Sequence, residues 1–375
     1  MSDIEDYLVS VCRGRRGLVP SLLRTGLAAL APVYCAGLEI YLAPYNLGIR
    51  KRTRLPVPVI CVGNLTTGGT GKTPMTQALC RLLVSQGKKV CVLSRGYGGA
   101  HEYDSAVVSD GKRVLLNAKE AGDEAHLLAK TLPGVPVVVG KDRRVTGKLA
   151  VEQFAPDIVV LDDGMQFWQL HRDLDIVLLN ACEPFDNGWT FPRGLLREPP
   201  SHLKRAGIIV LTNAKNAGAE QIANVKAQIE RIAPGKPLFT ADLAPNGLRA
   251  IAGKAEFPSD WLNGQRVSAL SAVGNPSSFE TMLGELGGIL AARFRFRDHQ
   301  AITLPDLERV FNESCAAGAS AVITTEKDAV KMPALKSPLP LLALRVAMHI
   351  DNEADFFAAV TEKILRQDER DKEEI

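Results

Sequence analysis

Val57-Pro58-Val59-Ile60-Cys61-Val62-Gly63-Asn64-Leu65-Thr66-Thr67-Gly68-Gly69-Thr70-Gly71-Lys72-Thr73-Pro74 is the stretch that decides the fold. Val57 to Val62 is short and mostly apolar, with prolines near its start, which is the pattern of a buried strand. From Lys72 to Gln86 the leucines at 79, 82 and 83 share one helical face, and Gly87 stops the helix. The glycine-rich loop between them has phosphate-loop spacing, GxxxxGK[ST], over Thr66 to Thr73. Thr66 stands where the first glycine is usual, and Gly68, Gly69 and Gly71 supply the flexibility that turns backbone N–H groups toward phosphate oxygens. The helix that follows aims its N-terminus at the same anion, and Pro74 suits its first turn. Thr66, Thr67, Gly68, Gly69, Thr70, Gly71, Lys72 and Thr73 are therefore the expected nucleotide-binding residues.

Outward from this loop the chain alternates strand and helix. Val90 to Leu93 is the next strand, ending in Ser94-Arg95-Gly96-Tyr97-Gly98-Gly99. Glu120 to Thr131 reads as a helix, and Val135 to Val139 and Ile158 to Leu161 read as strands, the latter closing on Asp162-Asp163-Gly164. Asp175 to Leu179 and Gly207 to Leu211 continue the series. Such alternation predicts an α/β fold of the P-loop NTPase type, a mainly parallel sheet with helices on both faces. The polar run Asn213 to Lys226 reads as a surface helix near a boundary. Beyond it, Val267 to Val273, Ser277 to Leu286, Ala321 to Thr324 and Leu339 to Val346 predict a second, smaller α/β domain. Lys363 to Ile375 is charge-dense and reads as a fraying tail. The expected division is an N-terminal helical segment at 1–48, a P-loop kinase domain at 49–230, and a second domain with tail at 231–375.

Of 375 residues, 46% are hydrophobic and 23% charged, which supports buried cores and excludes disorder. A net charge of +3 is too mild to imply nucleic acid, and no obligate protein partner is expected. Much of the basic excess lies at Arg13, Arg15, Arg16 and Arg24, then at Arg50, Lys51, Arg52 and Arg54. Between these clusters Leu18 to Leu47 is mostly apolar, but Gly26 to Leu42 is marginal for a full span of roughly 20 residues. The segment reads either as a core helix pair capping the first domain or as a membrane-associated segment dipping into the inner leaflet. Basic clusters at both ends suit the second, since both can then face anionic headgroups. Seven cysteines without CxxC pairing read as reduced, small hydrophobes on the cytosolic side.

In a phosphate loop of this kind Lys72 reaches the β- and γ-phosphates and the Thr73 hydroxyl coordinates Mg²⁺. Asp162 and Asp163, at the end of an apolar strand, stand where a Walker B carboxylate belongs, one for metal and the other for metal or substrate. An Asp-Asp-Gly turn is the plainer alternative. Arg95 and Arg197 are candidates for spreading negative charge in the transition state, although each alone also suits a surface or structural role. Arg143 and Arg144 read as a solvated basic pair. Asp123-Glu124 begins a helix, where a carboxylate can serve as a cap or as a base. His299, after Asp298, suits a surface position equally.

Together these motifs resemble the lipid A tetraacyldisaccharide 4′-kinases of Gram-negative bacteria. The resemblance rests on Val62-Gly63-Asn64-Leu65-Thr66 running into Gly-Gly-Thr-Gly-Lys-Thr-Pro, Ser94 to Gly98, Gly122-Asp123-Glu124, Asp162-Asp163-Gly164-Met165-Gln166, Pro192 to Pro199, Asp298-His299 and Thr325 to Lys331. It implies transfer of the ATP γ-phosphate to the 4′-hydroxyl of a tetraacylated glucosamine disaccharide 1-phosphate, with Mg²⁺, between two α/β/α domains. The acceptor lipid and the inner membrane's cytoplasmic face are the implied partners. Asp123 is implied as the base that accepts the hydroxyl proton, oriented by His299, with Lys72 completing the catalytic set. Arg197, Asp163 and Arg95 are the expected charge-handling residues, and Thr73, Asp162 and Glu198 the expected metal-side residues. Gln300 replaces a histidine frequent in the family and Ala125 replaces a proline, which leaves substrate contacts near those loops open. Two rivals stand beside this reading: a P-loop kinase of a soluble metabolite, and a nucleotide-driven switch or partitioning ATPase.

Overall fold

The structure, a computed structural model, describes residues 2–253, 255–298, 300–332 and 337–373. Two helices open the chain, α1 (Ser2–Cys12) and α2 (Leu18–Asn46). The first half continues through β1 (Val59–Asn64), α3 (Lys72–Ser85), β2 (Val90–Ser94), β3 (Ala106–Asp110), α4 (Ala118–Ala121), α5 (Asp123–Thr131), β4 (Pro136–Val139) and α6 (Arg143–Phe154). It closes with β5 (Ile158–Asp162), β6 (Leu174–Asn180), β7 (Ile208–Thr212) and α7 (Ala214–Ile232). The second half holds β8 (Leu238–Ala250), β9 (Glu256–Phe257), β10 (Arg266–Ser271), α8 (Pro276–Glu285), β11 (Ile289–Arg295) and α9 (Leu304–Ala316). β12 (Ala321–Thr325), α10 (Glu326–Ala329), β13 (Leu341–Ile350) and α11 (Glu353–Glu373) complete it.

Among the described residues the strands form one sheet, in the order β11-β10-β12-β13-β8-β7-β6-β1-β5-β2-β4-β3, with β9 on β8. Pairing is parallel from β4 through β8, with β3 an antiparallel edge. β8 joins the halves. Leu238 to Ala241 pair with β7, whereas Ala241 to Ala250 pair antiparallel with β13. The second half is therefore displaced along β8, beyond the C-terminal ends of the first half's strands. β13, β12, β10 and β11 run parallel to one another and opposite to β8, so they point back. The C-terminal ends of both parallel sets thus face one cleft, where ligands of open α/β sheets bind.

Both faces of the first half are covered, as buried parallel sheets require. Ile60 and Val62 of β1 pack with Met75, Leu79 and Leu83 of α3, while Val59 and Cys61 face the opposite layer with Val159, Leu161 and Met165. α2 is different. It runs 29 residues, about 43 Å at helical rise, yet only 11% of its apolar window is buried. Leu18, Val19, Leu22, Leu30, Val33 and Ile40 are more than half exposed. The expectation of a core helix pair is not met, because α2 rests on the domain through only a few residues, among them Ala31, Leu42 and Tyr45. Its length and hydropathy suit a membrane surface. The tail expected to fray from Lys363 is helical to Glu373, as the C-terminal part of α11.

Candidate active site

The loop from Leu65 to Gly71 joins β1 to α3, with Gly71 as the cap at φ 82°. That positive φ is what favours glycine there, since the nearest atom to an added Cβ is the flexible Met348 Cε of β13, which could shift. The Asn64 amide donates to the Thr70 hydroxyl at 2.9 Å and holds the loop to its strand. From the other side, Thr67 donates its N–H to the Leu195 carbonyl at 2.8 Å, and Arg197 donates its N–H to the Leu65 carbonyl at 2.7 Å. The Pro192–Pro199 segment is thus clamped along the loop.

Lys72 and Thr73 then meet the paired aspartates, which the sequence separates by about ninety residues. Lys72 Nζ lies 3.6 Å from Asp163, and Thr73 Oγ1 lies 3.5 Å from Asp162. Thr76, one turn further along α3, donates to Asp162 at 2.8 Å. Arg197 reaches Asp163 at 3.0 Å and Gln166 at 3.2 Å. Burial pushes the Asp162 carboxyl up to about 7, with Glu124 adding to the push and the Thr76 hydroxyl opposing it. Burial acts on Asp163 too, but Lys72 and Arg197 outweigh it and hold that carboxyl below the usual range.

Asp162 beside Thr73 therefore presents the chemistry of a Mg²⁺ ligand pair: a buried oxygen anion that a cation would keep ionised, next to a hydroxyl. Among the described residues no group of three or more His, Cys, Asp or Glu side chains gathers as a metal site. A Mg²⁺ ion held by Asp162 and Thr73 would be completed by phosphates and water. Glu198 has its lone pairs engaged already. It is fully buried and accepts from Arg205 at 2.6 and 2.8 Å, His202 at 2.7 Å and Gln166 at 3.0 Å. A cation would have to displace one of these donors. In the present arrangement Glu198 holds Gln166, and through it Arg197.

Asp123 heads α5, directly after Gly122, which caps the helix at φ 84° and ψ 152°. Gly122 packs on the backbone of Gly96 and Tyr97, so the Ser94–Gly99 loop sets where Asp123 begins. His299, the residue expected to orient it, lies outside the described residues. Lys331 reaches Asp123 at 3.6 Å and Asp328 at 3.0 Å, while Lys327 lies 3.5 Å from both Glu124 and Asp298. The Thr325–Lys331 motif thus ties the second half to the head of α5. Arg95 is exposed and pairs with Glu102 at 2.8 Å.

Arg143 and Arg144, read together as a solvated pair, part company. Arg144 pairs outward with Asp142, whereas Arg143 is 3% exposed and donates to the Gly140 and Lys141 carbonyls at 3.1 Å. Burial, then Arg95, lowers its guanidinium to about 10, with Asp163 and Asp162 opposing. It is a buried cation beside the acidic pair. Thr76, Gln166 and Lys331 also belong to this neighbourhood and were not singled out for it by spacing. Thr76 alone had a local signal, three residues after Thr73 on the same helix face.

α2 leans on the same segment. The Tyr34 hydroxyl donates to the Arg197 carbonyl at 2.8 Å, Cys35 Sγ lies 3.1 Å from the Thr190 hydroxyl, and Glu39 meets His202 at 2.7 Å.

Known proteins are similar to this chain along most of its length. The sequence profile of the tetraacyldisaccharide-1-P 4′-kinase family matches residues 23–365. The tetraacyldisaccharide 4′-kinase of Geobacter metallireducens is 43% identical over 316 residues, covering 84% of this chain and 90% of that protein. That of Pelobacter propionicus is 40% identical over 338 residues, covering 89% and 91%. Among solved structures, the "apo" form of LpxK from Aquifex aeolicus, in complex with ATP, superposes with a TM-score of 0.73 at 32% identity, over 91% of this chain and 99% of that one. With a phosphate loop facing paired aspartates, and relatives of this identity along nearly the whole length, the chain belongs to the tetraacyldisaccharide-1-P 4′-kinase family.

Proposed function

We propose that this protein transfers the γ-phosphate of ATP to the 4′-hydroxyl of a tetraacyldisaccharide 1-phosphate, forming lipid IVA, at the cytoplasmic face of the inner membrane. The observation that carries the reading is the convergence of Lys72 and Thr73 on Asp162 and Asp163, with Arg197 closing the cluster. The loop from Thr66 to Thr73 cradles the triphosphate with backbone N–H groups and the head of α3. Lys72 and Arg197 balance the charge that spreads over the transferring group, and Asp163 keeps both aimed at it. Arg143 adds a buried positive charge behind this pair, and Arg95 stands further out at the rim. Thr73 and Asp162 would hold Mg²⁺, which supplies further neutralisation of the β- and γ-phosphates.

Asp123 accepts the proton of the sugar hydroxyl and His299 orients it. Its larger contribution is alignment of the attacking hydroxyl. Residues 49–230 supply the nucleotide side and 231–375 the facing wall of the cleft. Residues 1–48 bring the enzyme to its substrate: the exposed apolar face of α2 lies in the interface, where the acyl chains hold the acceptor, each buried methylene contributing roughly 0.8 kcal/mol.

The test is label transfer from γ-labelled ATP, with Mg²⁺, to detergent-dispersed tetraacyldisaccharide 1-phosphate. Label in the lipid, and its loss in Lys72→Ala, is the expected result. ATP hydrolysis with no labelled lipid would overturn the acceptor while leaving the phosphate loop in place.

A further inference from the structure

Below the C-terminal end of α2 lies a cavity of about 380 Å³ that the transfer chemistry does not use. Four cationic side chains line it, Arg52, Arg172, Lys204 and Arg205, against one carboxylate, Asp175. Trp168 organises three of them: the Arg205, Arg52 and Arg172 guanidinium carbons lie 4.3, 5.5 and 5.8 Å from its ring centroid. Backbone pairing of Thr53 with Gln169 and His171 pins Arg52 in this position.

The positive charge is only partly answered. Arg172 is taken up by Asp175 at 2.7 Å, and Arg205 by Glu198 at 2.6 Å. His202 is held between Glu198 and Glu39. Arg205 Nε also lies 4.0 Å from Asp175, whereas among the described residues Arg52 and Lys204 make no ion pair and Arg52 Nε is buried without a hydrogen-bond partner. Burial lowers the Arg52 guanidinium, and Arg172 and Arg205 lower it further. Guanidinium groups gathered with unused donors are costly unless an anion completes them, and planar forks of this kind match phosphate oxygens.

Position narrows the anion. Leu42 and Asn46 of α2 form one wall, so the cavity opens beside the helix whose apolar face is exposed. Tyr34, which touches the Arg197 carbonyl beside the phosphate loop, lies eight residues earlier, about 12 Å along the helix. That is the scale of two linked sugar rings.

We propose that this cavity binds the phosphate group of a lipid lying at the membrane surface, through Arg52 and Lys204. The inference rests on the acceptor reading above and deepens it. The phosphate belongs either to the acceptor's own 1-position or to a neighbouring anionic phospholipid.

The test uses the full chain and the double variant Arg52→Ala/Lys204→Ala, with Arg52→Lys as the charge-keeping control and a melting curve for each. Transfer is measured to the disaccharide with and without its 1-phosphate, and binding to phosphatidylglycerol vesicles is measured separately. If the acceptor's phosphate is bound, the double variant raises KM roughly tenfold or more for the 1-phosphorylated acceptor. Its kcat is retained, the acceptor lacking that phosphate is unaffected, and Arg52→Lys restores most of the loss. If a phospholipid is bound, vesicle affinity falls by a similar factor and the ratio of the two KM values is unchanged. KM values and vesicle affinity all within twofold of wild type would overturn the proposal. An equal rise for both acceptors with unchanged vesicle binding would overturn it too. Failure of the wild type to label either acceptor would instead refute the kinase assignment, so the two failures are distinguishable.

Discussion

Gly122→Ala is the most informative single substitution, because it alters no side chain that contacts nucleotide or acceptor. Gly122 sits at φ 84° and ψ 152°, a region essentially reserved for glycine. A Cβ there would stand 2.7 Å from the Tyr97 carbonyl oxygen and 3.0 Å from the Gly96 carbonyl carbon, both backbone atoms that cannot rotate away. Backbone strain costs about 1–3 kcal/mol and forced overpacking about another 1–3, so the sum is roughly 2–6 kcal/mol. In a chain of this length each kcal/mol moves the melting temperature by about 1–2 °C, so a fall of roughly 2–12 °C is expected.

Relief of the clash moves the head of α5, and with it Asp123. A displacement near 1 Å costs on the order of a hundredfold in kcat. Gly37→Ala is the matched control: Gly37 is helical, and a methyl added there would meet nothing within 4 Å, so that change should be neutral or stabilising by up to about 1 kcal/mol. Scanning fluorimetry and label transfer on the three proteins suffice. A Gly122→Ala protein that melts within a degree of wild type refutes the packing argument. One that melts early yet turns over normally refutes the role given to Asp123.

Removing the metal and titrating Asp162 gives a second test. Its folded pKa is raised to about 7 from 3.8, so the folded state binds the extra proton between these values. This group therefore favours the metal-free fold less and less as pH climbs through that window. Asp162→Asn should flatten that slope in melting experiments without Mg²⁺ while abolishing transfer; an unchanged slope would dismiss the buried charge. Thiol labelling offers a third. Cys91 is buried with its thiol pushed up to about 12 by burial, and Cys61 and Cys80 are pushed up similarly. These three should resist iodoacetamide at pH 8 while exposed Cys315 reacts; comparable mass shifts at Cys61 and Cys315 would contradict the core. Finally, deleting residues 1–48 should release the protein from membranes and also lower kcat in detergent, because Tyr34, Cys35 and Glu39 brace the Thr190–His202 segment. Continued sedimentation with membranes, or undiminished turnover in detergent, would break the corresponding half of that expectation.

What the sequence determined by itself was everything encoded over short separations. The loop from Thr66 to Thr73 announces its chemistry within eight residues, because spacing along a strand–loop–helix unit is also spacing in space. Asp162 and Asp163 were legible because an apolar strand ends on them, and the parallel sheet because strands and helices alternate. Tertiary structure decided the rest. Lys141-Asp142-Arg143-Arg144 reads as two equivalent arginines until helix packing turns one inward and leaves the other in water. Leu238 to Ala250 carries Pro245 and Gly247 and gave no strand signal, yet it joins the two halves, since its ladder is completed by β7 on one stretch and β13 on another. The apolar run of α2 is compatible with a core or a bilayer in composition alone, and only the absence of packing partners along most of its length separates them. The cations around Trp168 come from residues 52, 172, 204 and 205, a cluster that exists only because the sheet brings distant turns together. Local order follows from local sequence, whereas burial and charge pairing depend on neighbours that only the completed fold supplies.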